Sequence, residues 1–245
     1  MVRILAIADE VDESLGRPTL ESLRPDLIVS CGDLPFDYLE YVVTVANVPL
    51  LYVPGNHDPD LTRRPEPAVR LPMLGAQGML LPSPGRRPRS AVQDVGAPRG
   101  PAGCTPIDGR IVEVAGLRVA GLGGSHHYSD GPHQYTQAQM RRRALGLEVR
   151  SRLGHPGRGV DVLATHAAPL GVGDEDDGCH VGFSAFHRLV RHLRPQLLLH
   201  GHLHPYGLPR PDRLLGRTRV INVIPRKLVD VEAAPSSRRR EGGGP

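Results

Sequence analysis

Five short segments scattered along the chain carry side chains of metal-ligand type: Asp9; Gly32-Asp33; Gly55-Asn56-His57-Asp58; Thr165-His166; and Gly201-His202-Leu203-His204. Together they suit a pair of divalent cations. Hydrolytic centres of that kind hold two ions about 3.5–4 Å apart, share a bridging carboxylate and a bridging solvent that becomes hydroxide, and leave one side open to phosphate oxygens. Asp33 is the natural bridging carboxylate, because Gly32 before it lets backbone and metal approach closely. Asn56 offers a neutral carbonyl oxygen, and His166, His202 and His204 offer imidazole nitrogens. Positions i and i+2 of an extended segment share a face, so His202 and His204 can each reach one of two adjacent metals. His57 does not share the direction of Asn56 and belongs above the metals. Asp58 is expected to hold the His57 ring and raise its pKa, which suits a general acid for a leaving oxygen or a cation that steadies the transition state.

Each ligand segment follows an apolar run that reads as a β-strand: Val2 to Ala8, Leu27 to Ser30, Leu50 to Val53, Val160 to Ala164 and Leu197 to Leu199. Strand ends that face one sheet edge are where such ligands can meet. In the first half strands alternate with helices near 17–24 and 36–46, the pattern of a partly parallel sheet with crossover helices. The stretch from Pro59 to Gly109 interrupts it, and the Pro/Gly/Arg-rich part at about 82–103 reads as a long flexible insertion. Regular structure resumes with a hairpin, 110–114 and 117–122, turning at Ala115-Gly116. A helix at 136–153, strand 160–164, helix 183–193, strand 196–199 and two late strands at 219–223 and 227–231 follow. One domain over 1–233 with a disordered tail at 234–245 is the expected organisation.

Composition narrows the class. The chain has 245 residues, enough for a sizeable core, and a net charge of only +4. Three cysteines with no close pair argue against a disulfide framework and against a Cys-x-x-Cys zinc site, and favour a reducing compartment. No apolar run approaches the roughly 20 residues that span a membrane, and the N-terminus enters a strand at once, so the expected location is cytoplasmic. Arginine clusters at 86–99, 141–152 and 238–240 keep nucleic acid open as a partner, although no aromatic stacking surface accompanies them.

The order Asp…Gly-Asp…Gly-Asn-His-Asp…His…Gly-His-x-His, spanning residues 9 to 204, resembles the calcineurin-like metallophosphoesterase superfamily. The resemblance implies a mixed α/β fold, a four-layer sandwich of two mixed β-sheets flanked by helices, with a dinuclear centre at the strand ends. Carried over by position, Asp33 bridges both metals; Asn56, His166 and His202 complete one site; Asp9 and His204 belong to the other; and His57 faces the substrate. Manganese is the expected ion, with iron or zinc as alternatives. The implied activity is hydrolysis of a phosphate ester of a small molecule, with the metal-bridging hydroxide as nucleophile; a nuclease, or a catalytically weakened metal-binding scaffold, are the alternatives. Looser similarity in the loops containing Gly121 to Tyr135 and Asp174 to Phe183 makes His180 and His127 candidates for substrate contact. The chain departs from the family pattern at one position: where Asp-x-His is usual, it reads Asp9-Glu10-Val11-Asp12. Valine cannot ligate. If the strand continues, Glu10 points to the opposite face; if the chain turns, Glu10 or Asp12 can swing in.

Overall fold

The computed structural model describes residues 1–61, 100–154, 157–205, 207 and 210–233. Most of the expected insertion and the whole 234–245 tail lie outside these residues. Along the chain run β1 (Val2–Ile7), α1 (Arg17–Leu23), β2 (Leu27–Ser30), α2 (Phe36–Ala46), β3 (Leu50–Tyr52), β4 (Cys104–Pro106), β5 (Ile111–Val114), β6 (Leu117–Leu122), β7 (Ser125–His126), β8 (Gln134–Tyr135), α3 (Gln137–Gly154), β9 (Val162–Thr165), α4 (Ala185–Leu193), β10 (Leu197–His200), β11 (Arg213–Leu215), β12 (Thr218–Asn222) and β13 (Arg226–Val231).

The strands form two large mixed sheets. One has the order β13-β1-β2-β3-β4, the other β11-β12-β10-β9-β6-β5. Within each, the central strands are parallel: β1 to β4 in the first, and β6, β9, β10 and β12 in the second. Antiparallel strands close three of the four edges, β13 against β1, β5 against β6 and β11 against β12.

Strand pleating assigns each residue to a layer. Ile4, Ala6 and Ala8 point between the sheets with Val29, Val119, Val162, Leu197 and Leu199. Their neighbours Leu5 and Ile7 point outward under α1 and α2, beside Leu20, Leu39 and Val42. On the far side Ala120, Leu122, Leu163 and Leu198 meet Met140, Leu147, Phe186, Leu189 and Leu193 of α3 and α4. Both faces of each sheet are therefore covered, which is why these strands read as continuous apolar runs. The result is the expected helix–sheet–sheet–helix sandwich.

Several details differ from the sequence-based expectation, among them the short strands β7, β8 and β11, which it did not include. The Pro/Gly-rich stretch before residue 109 yields an edge strand, β4, because Cys104 to Pro106 pair in parallel with Leu50 to Tyr52. An edge position tolerates Pro106, which has no amide to give to a ladder. In addition, β1 stops at Ile7 instead of running on through Ala8.

Candidate metal centre

Backbone conformation aims the ligands as much as side-chain type does. Asp9, Asp33 and His202 lie just beyond β1, β2 and β10, and all three adopt left-handed backbone, with φ of 61°, 57° and 68°. That region is uncommon for residues with a Cβ and costs on the order of 1 kcal/mol or more each, a strain that concentrates at functional sites. The turn swings these side chains out of the strand direction, toward His166 at the end of β9. Donor atoms of Asp9, Asp33, His166 and His202 all lie within 4.8 Å of one another. Glycines clear the space: a Cβ on Gly55 would overlap the Asp33 carboxylate, and one on Gly201 would overlap that of Asp9.

His166 is fully buried. Its Nδ1 lies 2.8 Å from the Cys31 carbonyl oxygen, while Nε2 lies 3.0 Å from Asn56 Oδ1 and 3.3 Å from Asp33 Oδ2. The carbonyl fixes the proton on Nδ1 and aims Nε2 at the two oxygens, the usual way a ligating imidazole is oriented from behind. Burial disfavours its charged form, but Asp33, Asp9 and the Cys31 carbonyl together lift its pKa to about 9. Asp33 is correspondingly held below the usual carboxylate range: burial pushes it up, and His166 and His57 together more than reverse this. Burial raises Asp9 to about 6 despite His166 and the His202 amide. His202 is driven down to about 3 by burial and by the neighbouring His166, whose ring centroid is 4.8 Å away. Its Nε2 lies 2.9 Å from the Cys179 carbonyl oxygen, which leaves Nδ1 with the lone pair. Two carboxylates, an amide oxygen and two imidazoles thus converge, with protonated His166 as the main source of positive charge facing both carboxylates. A divalent cation satisfies the same oxygens and accepts both nitrogens, so the donor set fits a metal.

The expected site residues are placed unequally. Asn56 is in the centre, and its Nδ2 donates to the Tyr128 hydroxyl at 2.9 Å, which turns Oδ1 toward His166. His57 is exposed, with its amide donating to Asp33 Oδ1 at 2.8 Å. Asp58 does not hold the His57 ring. Its buried Oδ2 accepts from the amides of Gly55 at 2.7 Å and Asp33 at 3.0 Å. His57 is exposed and Asp58 is buried on two backbone amides, where its carboxylate braces the loop. His204 is not among the four clustered residues; its Nδ1 lies 2.8 Å from Glu10 Oε1. The His180 ring packs 5.0 Å from that of His202 and its Nδ1 lies 2.5 Å from Asp177 Oδ2. His127 is exposed, its amide bonded to the Tyr135 carbonyl. His200, at the end of β10, is buried with Nδ1 beside the Gly201 carbonyl oxygen, 3.0 Å away. Sequence reasoning did not single out the roles of Tyr128 and of the Cys179 carbonyl; Tyr128 had a signal, its place in the Gly-rich loop after β6, but a backbone carbonyl had none.

A protein-family model described as calcineurin-like phosphoesterase matches residues 3–206. One crystal structure aligns with a TM-score of 0.56 at 16% identity, covering 90% of this chain and 89% of that one. The crystal structure of TT1561 of Thermus thermophilus aligns with a TM-score of 0.54 at 14% identity, covering 90% and 88%. At those identities the likeness concerns the fold. No curated protein matches the chain.

Proposed function

This chain belongs to the calcineurin-like phosphoesterase family, and we propose that it hydrolyses a phosphate ester of a small molecule at a centre for two divalent cations. The carrying observation is the convergence of Asp9, Asp33, His166 and His202 donor atoms within 4.8 Å on the strand ends. Asp33, Asn56, His166 and His202 would hold one cation, and Asp9, His204 and Asp33 would hold the other. When bound, the ions supply the Lewis acid that activates water and neutralises phosphate oxygens. Manganese suits the oxygen-rich donor set.

The protein's own groups supply orientation and proton transfer. The Cys31 and Cys179 carbonyls hold the protons of His166 and His202 away from the donor nitrogens. Tyr128 fixes the Asn56 amide, and the His57 amide fixes Asp33. The exposed His57 ring beside these ligands protonates the leaving oxygen. A small substrate is favoured over nucleic acid because no aromatic stacking surface accompanies the arginines and two arginines of α3 are engaged within the fold. Arg143 Nη2 contacts both Asp108 oxygens at 2.6 Å, and Arg150 Nη1 donates to the Gly109 carbonyl at 2.7 Å.

Turnover of synthetic phosphate mono- and diesters by manganese-loaded protein tests the reading. Asp33→Asn and His166→Ala are expected to lose more than about 100-fold, beyond what loss of an outer-shell partner costs. Full turnover in either variant rejects the assignment.

A further inference from the structure

We infer that Glu10 replaces the ligand missing at residue 11, so that the second cation is held by Asp9, Asp33, His204 and the Glu10 carboxylate. This rests on the two-cation reading above and assigns its incomplete half. The usual Asp-x-His spacing works because residues i and i+2 of an extended strand share a face. Here the strand does not continue. Asp9 is left-handed, with φ of 61°, and the Glu10 amide closes onto the Ala8 carbonyl oxygen at 2.6 Å. The turn rotates residue 11 away, and Val11 is 46% exposed. It also brings residue 10 round: Glu10 Oε1 lies 2.8 Å from Nδ1 of His204, the imidazole proposed above for the same half of the centre. Asp12, the other carboxylate of this turn, is already engaged, lying 2.7 Å from Arg226 Nη1 and accepting the Ser14 amide at 2.9 Å. Of the side chains at 10–12, Glu10 is therefore the one that reaches a member of the site.

A carboxylate in place of a neutral imidazole adds one negative charge and one oxygen donor. That half of the centre becomes harder, and manganese or magnesium is favoured there over zinc relative to an Asp-x-His site. A turn that defeats the i+2 ligand and presents the i+1 carboxylate accounts for Val11 without loss of the second ion.

Manganese stoichiometry and affinity, followed by metal analysis and by electron paramagnetic resonance of paired against isolated Mn²⁺, separate the possibilities without an activity assay. Wild-type protein is expected to bind two ions with a coupled signal. Glu10→Ala and Glu10→Gln are expected to keep one ion and bind the second at least about 100-fold more weakly, a loss larger than an orienting partner usually causes. Adding Val11→His to Glu10→Ala is not expected to restore it, because residue 11 faces away. Two-ion binding retained by Glu10→Gln overturns the inference, since glutamine still accepts the His204 hydrogen bond. One ion in wild type, unaffected by Glu10→Ala, also overturns it. A wild-type chain that binds no manganese overturns the underlying two-cation reading instead.

Discussion

Replacing Asp58 by alanine removes the single oxygen that accepts both the Gly55 amide at 2.7 Å and the Asp33 amide at 3.0 Å. Asp58 is only 7% exposed, so water cannot readily take its place. A buried donor left without its acceptor costs about 1–3 kcal/mol. The Gly55 amide carries the full cost, and the Asp33 amide, in a half-buried residue, carries part of it. The sum is about 3 kcal/mol, a large share of the roughly 5–15 kcal/mol that holds a domain folded. For a chain of this size that corresponds to a fall in Tm of about 6–12 °C. Asparagine can place its carbonyl oxygen where Oδ2 stood and keep both bonds, so Asp58→Asn is expected to stay within about 1 kcal/mol of wild type. Denaturant unfolding of metal-free protein measures both. A catalytic pairing of Asp58 with the His57 ring predicts the reverse: both variants equally inactive and neither destabilised. That pattern, or an Asp58→Ala protein as stable as wild type, refutes the bracing role.

Further outcomes follow from the same geometry. Tyr128→Phe removes the hydroxyl that fixes Asn56 and should weaken binding of the first manganese about tenfold or more, with little change in Tm because Tyr128 is 43% exposed; calorimetric titration checks this. Gly201→Ala drives a methyl into the Asp9 carboxylate and should lower stability by about 1–3 kcal/mol and disable the Asp9 half of the centre, as read by thermal unfolding and metal counting. Metal binding should depend steeply on pH. His166 has a raised pKa of about 9, so below that value the ion competes with a proton and affinity falls about tenfold per pH unit; below about 6 protonation of Asp9 steepens the fall. The same raised pKa means that proton binding by His166 stabilises the metal-free fold. That contribution is complete below the ordinary histidine pKa of about 6.5 and is lost as pH rises through about 9. Titrations of Mn²⁺ affinity and of metal-free Tm across the range between those two values should therefore slope in opposite directions.

Much of this architecture was legible in the residues. Buried parallel strands announce themselves as short apolar runs, and the runs beginning at Val2, Leu27, Leu50 and Leu197 correspond to β1, β2, β3 and β10. Asp33, His166 and His202 stood out because ligand type and strand end coincide at each, with a glycine just before Asp33 and His202. Backbone direction was not legible. Adjacency in Asn56-His57-Asp58 suggested that the carboxylate serves the imidazole, whereas the turn sends it back to two amides. Extended geometry after Asp9 would have carried Glu10 to the opposite face; a left-handed Asp9 brings it to His204 instead. β4 was hidden because its pairing with β3 joins residues far apart in sequence, in a stretch without periodicity. The contact of His187 Nε2 with the Leu170 carbonyl oxygen, 2.7 Å away, was not legible either, since it joins a helix to a loop without any local signature.

The most direct test of the central claim couples metal content to turnover in one preparation. Protein stripped of metal and reloaded with Mn²⁺ is assayed on a synthetic phosphodiester and phosphomonoester beside Asp33→Asn, the carboxylate shared by both halves of the centre. The account predicts activity that appears with manganese, disappears with chelator and is lost together with the bound metal in Asp33→Asn. Phosphoester turnover that persists without metal, or that Asp33→Asn retains in full, contradicts it.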